Sequence, residues 1–169
     1  MKSLLFSAAL GIFALTANGQ KMNKQSPIAN VSGKTASGTT ISIRYNQPSV
    51  RGRTIGKDLE PMAGKVWRTG ADSTTAFTVT KDVKVEGKAL PAGRYGLFSM
   101  VDGENWTIIF SKNPKQWGAF TYKQDEDALR VTVKAGKTAK FQEKFTITIS
   151  KAGKVDLLWG DSDVAFKVD

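Results

Sequence analysis

The sequence predicts an all-β protein: a two-sheet antiparallel β-sandwich of jelly-roll type or a partly closed barrel, with about ten short strands and one long irregular loop. Three observations carry this expectation. Apolar residues recur with period two along most of the chain, turn chemistry separates the runs, and no window shows a convincing helical period.

Ile41, Ile43 and Tyr45 alternate with Ser42, Arg44 and Asn46, which puts the apolar side chains on one face of a strand. Phe77 and Val79 repeat the pattern. Trp106-Thr107-Ile108-Ile109-Phe110 is denser in apolar side chains, as a central strand covered on both faces would be. Leu129, Val131 and Val133 alternate next, followed by Phe141, Phe145, Ile147 and Ile149 set against Gln142, Thr146, Thr148 and Ser150. Val155, Leu157 and Trp159, then Val164, Phe166 and Val168, complete the series. Between these runs stand Ser37-Gly38, Glu86-Gly87-Lys88, Pro91-Ala92-Gly93, Asp102-Gly103-Glu104-Asn105, Ala152-Gly153 and Gly160-Asp161-Ser162. Such clusters supply the positive φ, fixed φ or side-chain acceptors that tight turns need.

Residues 1–19 have the form of a secretory signal: Lys2 supplies the charged start, residues 4–15 an apolar core, and Ala17-Asn18-Gly19 small residues for cleavage. The apolar run falls short of the roughly 20 residues a transmembrane helix needs. The expected product is exported, periplasmic or extracellular, and soluble after cleavage near Gly19. Residues 20–25 form a polar, basic lead expected to be disordered, and residues 26–169 a single domain.

The chain of 169 residues contains no His and no Cys. That excludes imidazole-based triads, thiolate nucleophiles, Cys- or His-ligated metal centres and disulfides. No Gly-x-Ser-x-Gly elbow is present, and Gly33-Lys34-Thr35 and Gly136-Lys137-Thr138 lack the earlier glycine of a phosphate-binding loop. No cofactor or metal is expected, and the balance leans away from an enzyme. The formal charge of +10 points to an anionic partner, though an export signal and the lack of a reading module argue against nucleic acid. The excess is local. Residues 20–68 hold Lys21, Lys24, Lys34, Arg44, Arg51, Arg53, Lys57, Lys65 and Arg68 against only Asp58 and Glu60, whereas basic and acidic residues nearly balance over residues 69–169.

Residues 47–65 break the alternation with Pro48, Gly52, Gly56, Pro61 and Gly64. A loop of this length within a compact domain is usually functional or disordered. Around it the motifs become recognisable: Ser26-Pro27, Tyr45-Asn46-Gln47-Pro48-Ser49-Val50-Arg51-Gly52-Arg53, Gly64-Lys65-Val66-Trp67-Arg68-Thr69-Gly70-Ala71, Leu90-Pro91-Ala92-Gly93-Arg94-Tyr95-Gly96-Leu97-Phe98 and Leu129-Arg130-Val131. Together they resemble a bacterial family known as domain of unknown function 2911, over nearly the whole mature chain. The resemblance implies a β-rich exported protein of Bacteroidetes-type bacteria and no established activity. In that pattern Asn-Glu follows Gly-Ala; here Asp72-Ser73 stands instead and offers a carboxylate one position earlier.

Arg51, Arg53 and Arg68 have the planar fork that suits carboxylate, phosphate or sulfate, and Lys65 adds charge. Tyr45 and Trp67 flank them and offer flat apolar contact, with Asp72 placed to orient Arg68. Arg44 and Arg130 lie opposite the apolar face of their strands and would join the cluster if the loop folds over that face. The leading expectation is a non-enzymatic protein that binds an anionic small molecule, a glycan or an envelope component through this loop. Two alternatives stay open: a hydrolase of envelope glycans or esters pairing Asp72 with one of Asp125, Glu126 and Asp127, or an accessory envelope protein whose Arg cluster is internal bracing. The aromatics Trp117, Phe120 and Tyr122 either cap the end of the sandwich or form a sugar platform.

Overall fold

A computed structural model describes residues 26–169; the signal and lead expected over residues 1–25 lie outside the described residues. Ten strands follow one another: β1 (Ile28–Lys34), β2 (Thr40–Asn46), β3 (Val66–Trp67), β4 (Thr75–Val79), β5 (Val83–Val85), β6 (Lys88–Leu90), β7 (Gly93–Asp102), β8 (Asn105–Ser111), β9 (Asp127–Ile149) and β10 (Lys154–Lys167). The fold is all-β. Among the described residues the one helical turn is of 3-10 type, at Gln124–Glu126.

Neighbouring strands pair antiparallel in the order β1-β2-β4-β7-β8-β9-β10, with β3 on β7 and a separate β5-β6 hairpin. Short turns dictate three of these six pairings, β1-β2, β7-β8 and β9-β10. Asp102-Gly103-Glu104-Asn105 brings β7 directly onto β8, with Asp102 opposite Asn105. Longer connections make the other three: the long loop and β3 lead from β2 to β4, the β5-β6 hairpin lies between β4 and β7, and residues 112–126 join β8 to β9.

The curl of the sheet comes from β9 and β10. Through residues 127–134 β9 pairs with β8, and beyond that with β10. The 14 residues of β10 would reach about 45 Å if extended. Yet the N–H of Val168 donates to the carbonyl of Gly153 at 3.0 Å, so β10 folds back on itself. The reversal falls at Gly160, whose φ of 58° suits glycine, between two register shifts in the β9–β10 ladder. The turn chemistry at Gly160-Asp161-Ser162 therefore acts as expected, but strand pairing continues through it. The runs at 129–133 and 141–149 likewise join into one bent strand.

Closure is completed by the start of the long loop. Phe145 N–H donates to Pro48 O and Val50 N–H to Glu143 O, each at 2.9 Å, so residues 48–50 run alongside the far arm of β9. The result is a partly closed barrel. Its interior is filled by aromatic side chains meeting edge to face: Trp106 with Trp67 at 6.4 Å, Trp67 with Phe145 at 5.1 Å, and Phe145 with Trp159 at 6.0 Å. Phe77, Phe110 and Phe166 fill the other end. On the outer face, Phe98 and Ile109 are also buried, and the ring of Tyr122 in the segment after β8 lies over Phe98 at 5.1 Å.

The joint at Gly153 admits no side chain. A Cβ there would stand 2.1 Å from Val168 O, and the φ of +79° already disfavours one. Gly153→Ala is expected to cost roughly 3 kcal/mol in urea denaturation; an unchanged midpoint would mean that the two ends of β10 are not joined in solution.

Candidate functional site

The loop after β2 is ordered by hydrogen bonds to its own backbone and to the barrel. Arg53 folds over the preceding residues, donating from Nε to Val50 O at 3.1 Å and from Nη2 to Ser49 O at 2.8 Å. Arg51, at φ 50°, donates its N–H to Glu143 Oε1 at 2.7 Å. Farther on, Trp159 Nε1 donates to Glu60 O at 2.9 Å and Gly64 N–H to Val101 O at 2.9 Å. These ties hold the loop across one end of the barrel.

The block from Trp67 to Asp72 is pinned more tightly. Trp67 Nε1 donates to Gly70 O at 2.9 Å, Thr75 Oγ1 to Thr69 O at 2.6 Å, and Thr69 Oγ1 to Ser99 Oγ at 3.0 Å. Ala71 N–H donates to Asn46 O at 3.0 Å, and Asn46 Nδ2 to Asp72 Oδ2 at 3.2 Å. Thr69 and Asp72 adopt φ of 51° and 55°, which non-glycine residues rarely do. Such conformations persist where surrounding bonds over-determine them, and they concentrate at functional segments.

Between this block and the loop lies a pocket of about 210 Å³. Arg51, Arg53 and Arg68 line it together with the carboxylates of Glu60 and Asp72, over a floor that includes Trp67 and Trp159. Arg68 is its most unusual group. The Nε–H is buried and has no hydrogen-bond partner among the described residues. Burial pushes its pKa down, and the charges of Glu60 and Asp72 offset part of that shift. A half-buried guanidinium with a donor that no protein group among the described residues accepts suits an oxyanion in this pocket.

Of the residues expected from sequence, the structure brings Arg51, Arg53, Trp67, Arg68 and Asp72 to this pocket and leaves the others elsewhere. Tyr45 is a core residue: its ring packs on Phe145 at 5.6 Å and its hydroxyl accepts from Ile147 N–H at 3.0 Å. Trp67 is 1% exposed and meets the pocket only from beneath. Lys65 is exposed in the turn before β3 and does not line the pocket. Arg44 stands on the outer face of the sheet near Arg94, because the loop closes the barrel end and does not cover that face. Arg130 donates from Nε to Asp127 Oδ2 at 2.6 Å and from Nη2 to the hydroxyl of Tyr122. The orienting pair Arg68–Asp72 is also corrected: no ion pair joins them among the described residues, and the Asp72 carboxylate is held by Asn46. None of Asp125, Glu126 and Asp127 lines the Asp72 pocket, and Asp127 is committed to Arg130 and Tyr122, so the acid–base pair considered for a hydrolase is not assembled there.

Glu60 and Trp159 were missed. Glu60 was visible as one of only two acidic residues in a basic segment, whereas nothing local marks Trp159, which arrives from β10.

Burial raises the pKa of all three tyrosines, Tyr45, Tyr95 and Tyr122. Tyr122 is pushed up to about 12, by burial first and then by its hydrogen bond to Asp127, with Arg130 opposing. A folded-state value above the unfolded value of about 10 leaves stability unaffected below pH 10 and removes it as pH rises toward 12. Absorbance titration of the native protein should show little phenolate at pH 10; ordinary titration there would refute this burial.

These features define a class: a small, partly closed antiparallel barrel, filled with aromatics and carrying a cationic pocket under one long loop. The chain belongs to the family described as protein of unknown function (DUF2911), whose model matches residues 26–168. No curated protein and no solved structure matches it significantly.

Proposed function

We propose that this protein binds a small anionic, hydroxyl-bearing ligand, of the sugar-acid or sugar-phosphate kind, in the pocket beneath the long loop. The observation that carries the proposal is the buried Arg68 Nε–H, which has no acceptor among the described residues, in a pocket that Arg51 and Arg53 also line. Guanidinium forks take the oxyanion in a bidentate fashion. Glu60, Asp72 and Ser49 suit the ligand's hydroxyls, and the indole floor suits the apolar face of a ring. Ligand recognition without catalysis is consistent with the absence of His and Cys from the sequence.

Residues 1–19 belong to the same proposal: they direct export, and the protein meets its ligand in the periplasm or outside the cell. The support is the order of Lys2, the apolar residues 4–15 and the small residues before Gln20. Among the described residues no helix is long and apolar enough to cross a membrane.

Calorimetric titration with glucuronate and with a sugar phosphate, using glucose as the neutral control, tests the reading. Binding of the anions alone is expected, with affinity falling several-fold as salt is raised, because the three arginines outnumber the two carboxylates of the pocket. Equal binding of glucose, or an affinity indifferent to salt, overturns it.

A further inference from the structure

A second surface lies on the segment between β8 and β9. Residues 112–123 carry Lys112, Lys115 and Lys123 together with Trp117, Phe120 and Tyr122; Asp125 and Glu126 follow at the foot of the segment, where Glu126 O accepts from Lys112 N–H at 2.8 Å, so the three lysines outnumber these two carboxylates by one. The structure divides these aromatics. Tyr122 turns inward onto Phe98 and donates its hydroxyl proton to Asp127 at 2.7 Å. Trp117 and Phe120 remain 67% and 86% exposed.

The backbone beneath the two rings is fixed. Thr74 N–H donates to Gln116 O, Gly118 N–H to Asp72 O, and Thr74 Oγ1 to Gly118 O, each at 3.0 Å. Thr121 Oγ1 adds a bond to Gln116 Oε1 at 3.0 Å. The arm is therefore a pinned support that holds two large apolar rings out in water, and the lysines on it are exposed as well. Neighbouring exposed aromatics of this size mark an interaction surface.

The surrounding chemistry identifies the partner. An indole and a phenyl ring flanked by ammonium groups suit a bilayer interface, where aromatics settle at the headgroup level and lysines meet anionic headgroups. A sugar platform would set polar hydrogen-bonding side chains around a flat ring. Here the residues between the two aromatics are Gly118 and Ala119, and Phe120 packs so closely over Gly118 that a Cβ there would stand 2.7 Å from its ring. We propose that the arm formed by residues 112–123 docks the protein onto an anionic lipid bilayer, with Trp117 and Phe120 entering the interface and Lys112, Lys115 and Lys123 contacting headgroups. Because Gly118 is bonded to Asp72, this docking surface adjoins the rim of the arginine pocket, although it does not depend on what that pocket holds.

The protein reports on the arm directly. Of its four tryptophans, Trp67, Trp106 and Trp159 are buried, so a change in indole environment on docking is read at Trp117. Vesicles of phosphatidylcholine with phosphatidylglycerol should shift the emission to the blue and carry the protein down on sedimentation; pure phosphatidylcholine should do so far more weakly. Trp117→Ala with Phe120→Ala should cut partitioning at least about tenfold. Changing the three lysines to Gln should cut it by about fivefold each. The thermal midpoint checks that these exposed-site variants fold, and Arg68→Met should leave vesicle binding unchanged. No blue shift with anionic vesicles, equal partitioning of the folded variants, or a shift produced by soluble oligosaccharide but not by vesicles would each overturn the proposal.

Discussion

Arg68→Met is expected to weaken binding of glucuronate or a sugar phosphate by several hundredfold while leaving the protein at least as stable as before. The two halves of this result have one cause. Hydrogen bonds to a charged group contribute about 1.5–3 kcal/mol each, so losing a bidentate pair removes on the order of 3–4 kcal/mol of binding free energy. Stability does not follow, because the Arg68 Nε–H is buried without a partner among the described residues and its charge is already disfavoured by burial. Met keeps the apolar stem and deletes the unsatisfied donor. The two nearby carboxylates retain partners of their own: Glu60 accepts from Met62 N–H at 2.8 Å and Asp72 from Asn46 Nδ2 at 3.2 Å. Urea denaturation beside calorimetry gives both quantities. A loss of 3 kcal/mol or more of stability, the usual result of breaking a buried ion pair, would mean that Arg68 braces the loop and that the pocket is structural.

Trp67→Ala should behave in the opposite way, lowering the melting temperature by about 10–15 °C before any effect on binding can be read. Removing a buried Trp costs about 3–5 kcal/mol. For a domain of this size each kcal/mol is worth about 2–4 °C. Trp67 is packed between Trp106 and Phe145, and its Nε1 caps the carbonyl of Gly70, so truncation opens a void and strands a buried acceptor together. The damage falls on the turn that carries Arg68, and binding is lost through the fold. Trp67→Phe should recover much of the stability because a ring still fills the space. A Trp67→Ala protein that melts normally and fails only to bind would restore Trp67 as an exposed stacking platform.

These two outcomes separate residues that look alike in sequence. Trp67 and Arg68 are adjacent in the most recognisable block of the chain and lie on opposite sides of the same backbone: one belongs to the core and the other to the pocket. Tyr45 and Arg44 divide in the same way on β2, although there the arginine faces the outer surface. Period-two alternation says that neighbouring side chains part company, and it cannot say what each face meets. The strands without a visible period have local reasons too. The middle of β7, from Tyr95 to Ser99, is buried on both faces, so Tyr95-Gly96-Leu97-Phe98-Ser99 shows no alternation. The sheet-edge strand β1 is built largely of small and polar residues. With three residues each, β5 and β6 are too short to display a period.

The sequence by itself determined the strand chemistry, the positions of the turns, the single unpatterned loop and the excess of positive charge over residues 20–68. Each is a local property, set by which residues prefer extended backbone, which tolerate a turn and where charges fall along the chain. Only the tertiary structure decided that Arg51, Arg53 and Arg68 meet Glu60 and Trp159 in one pocket, that Arg44 and Arg130 stay outside it, and that Trp117 and Phe120 face water while Tyr122 does not. Those outcomes depend on closure. The reversal of β10 at Gly160 and the pairing of residues 48–50 with β9 bring together groups more than ninety positions apart, as Trp159 Nε1 on Glu60 O shows, and no local pattern records a contact made across that distance.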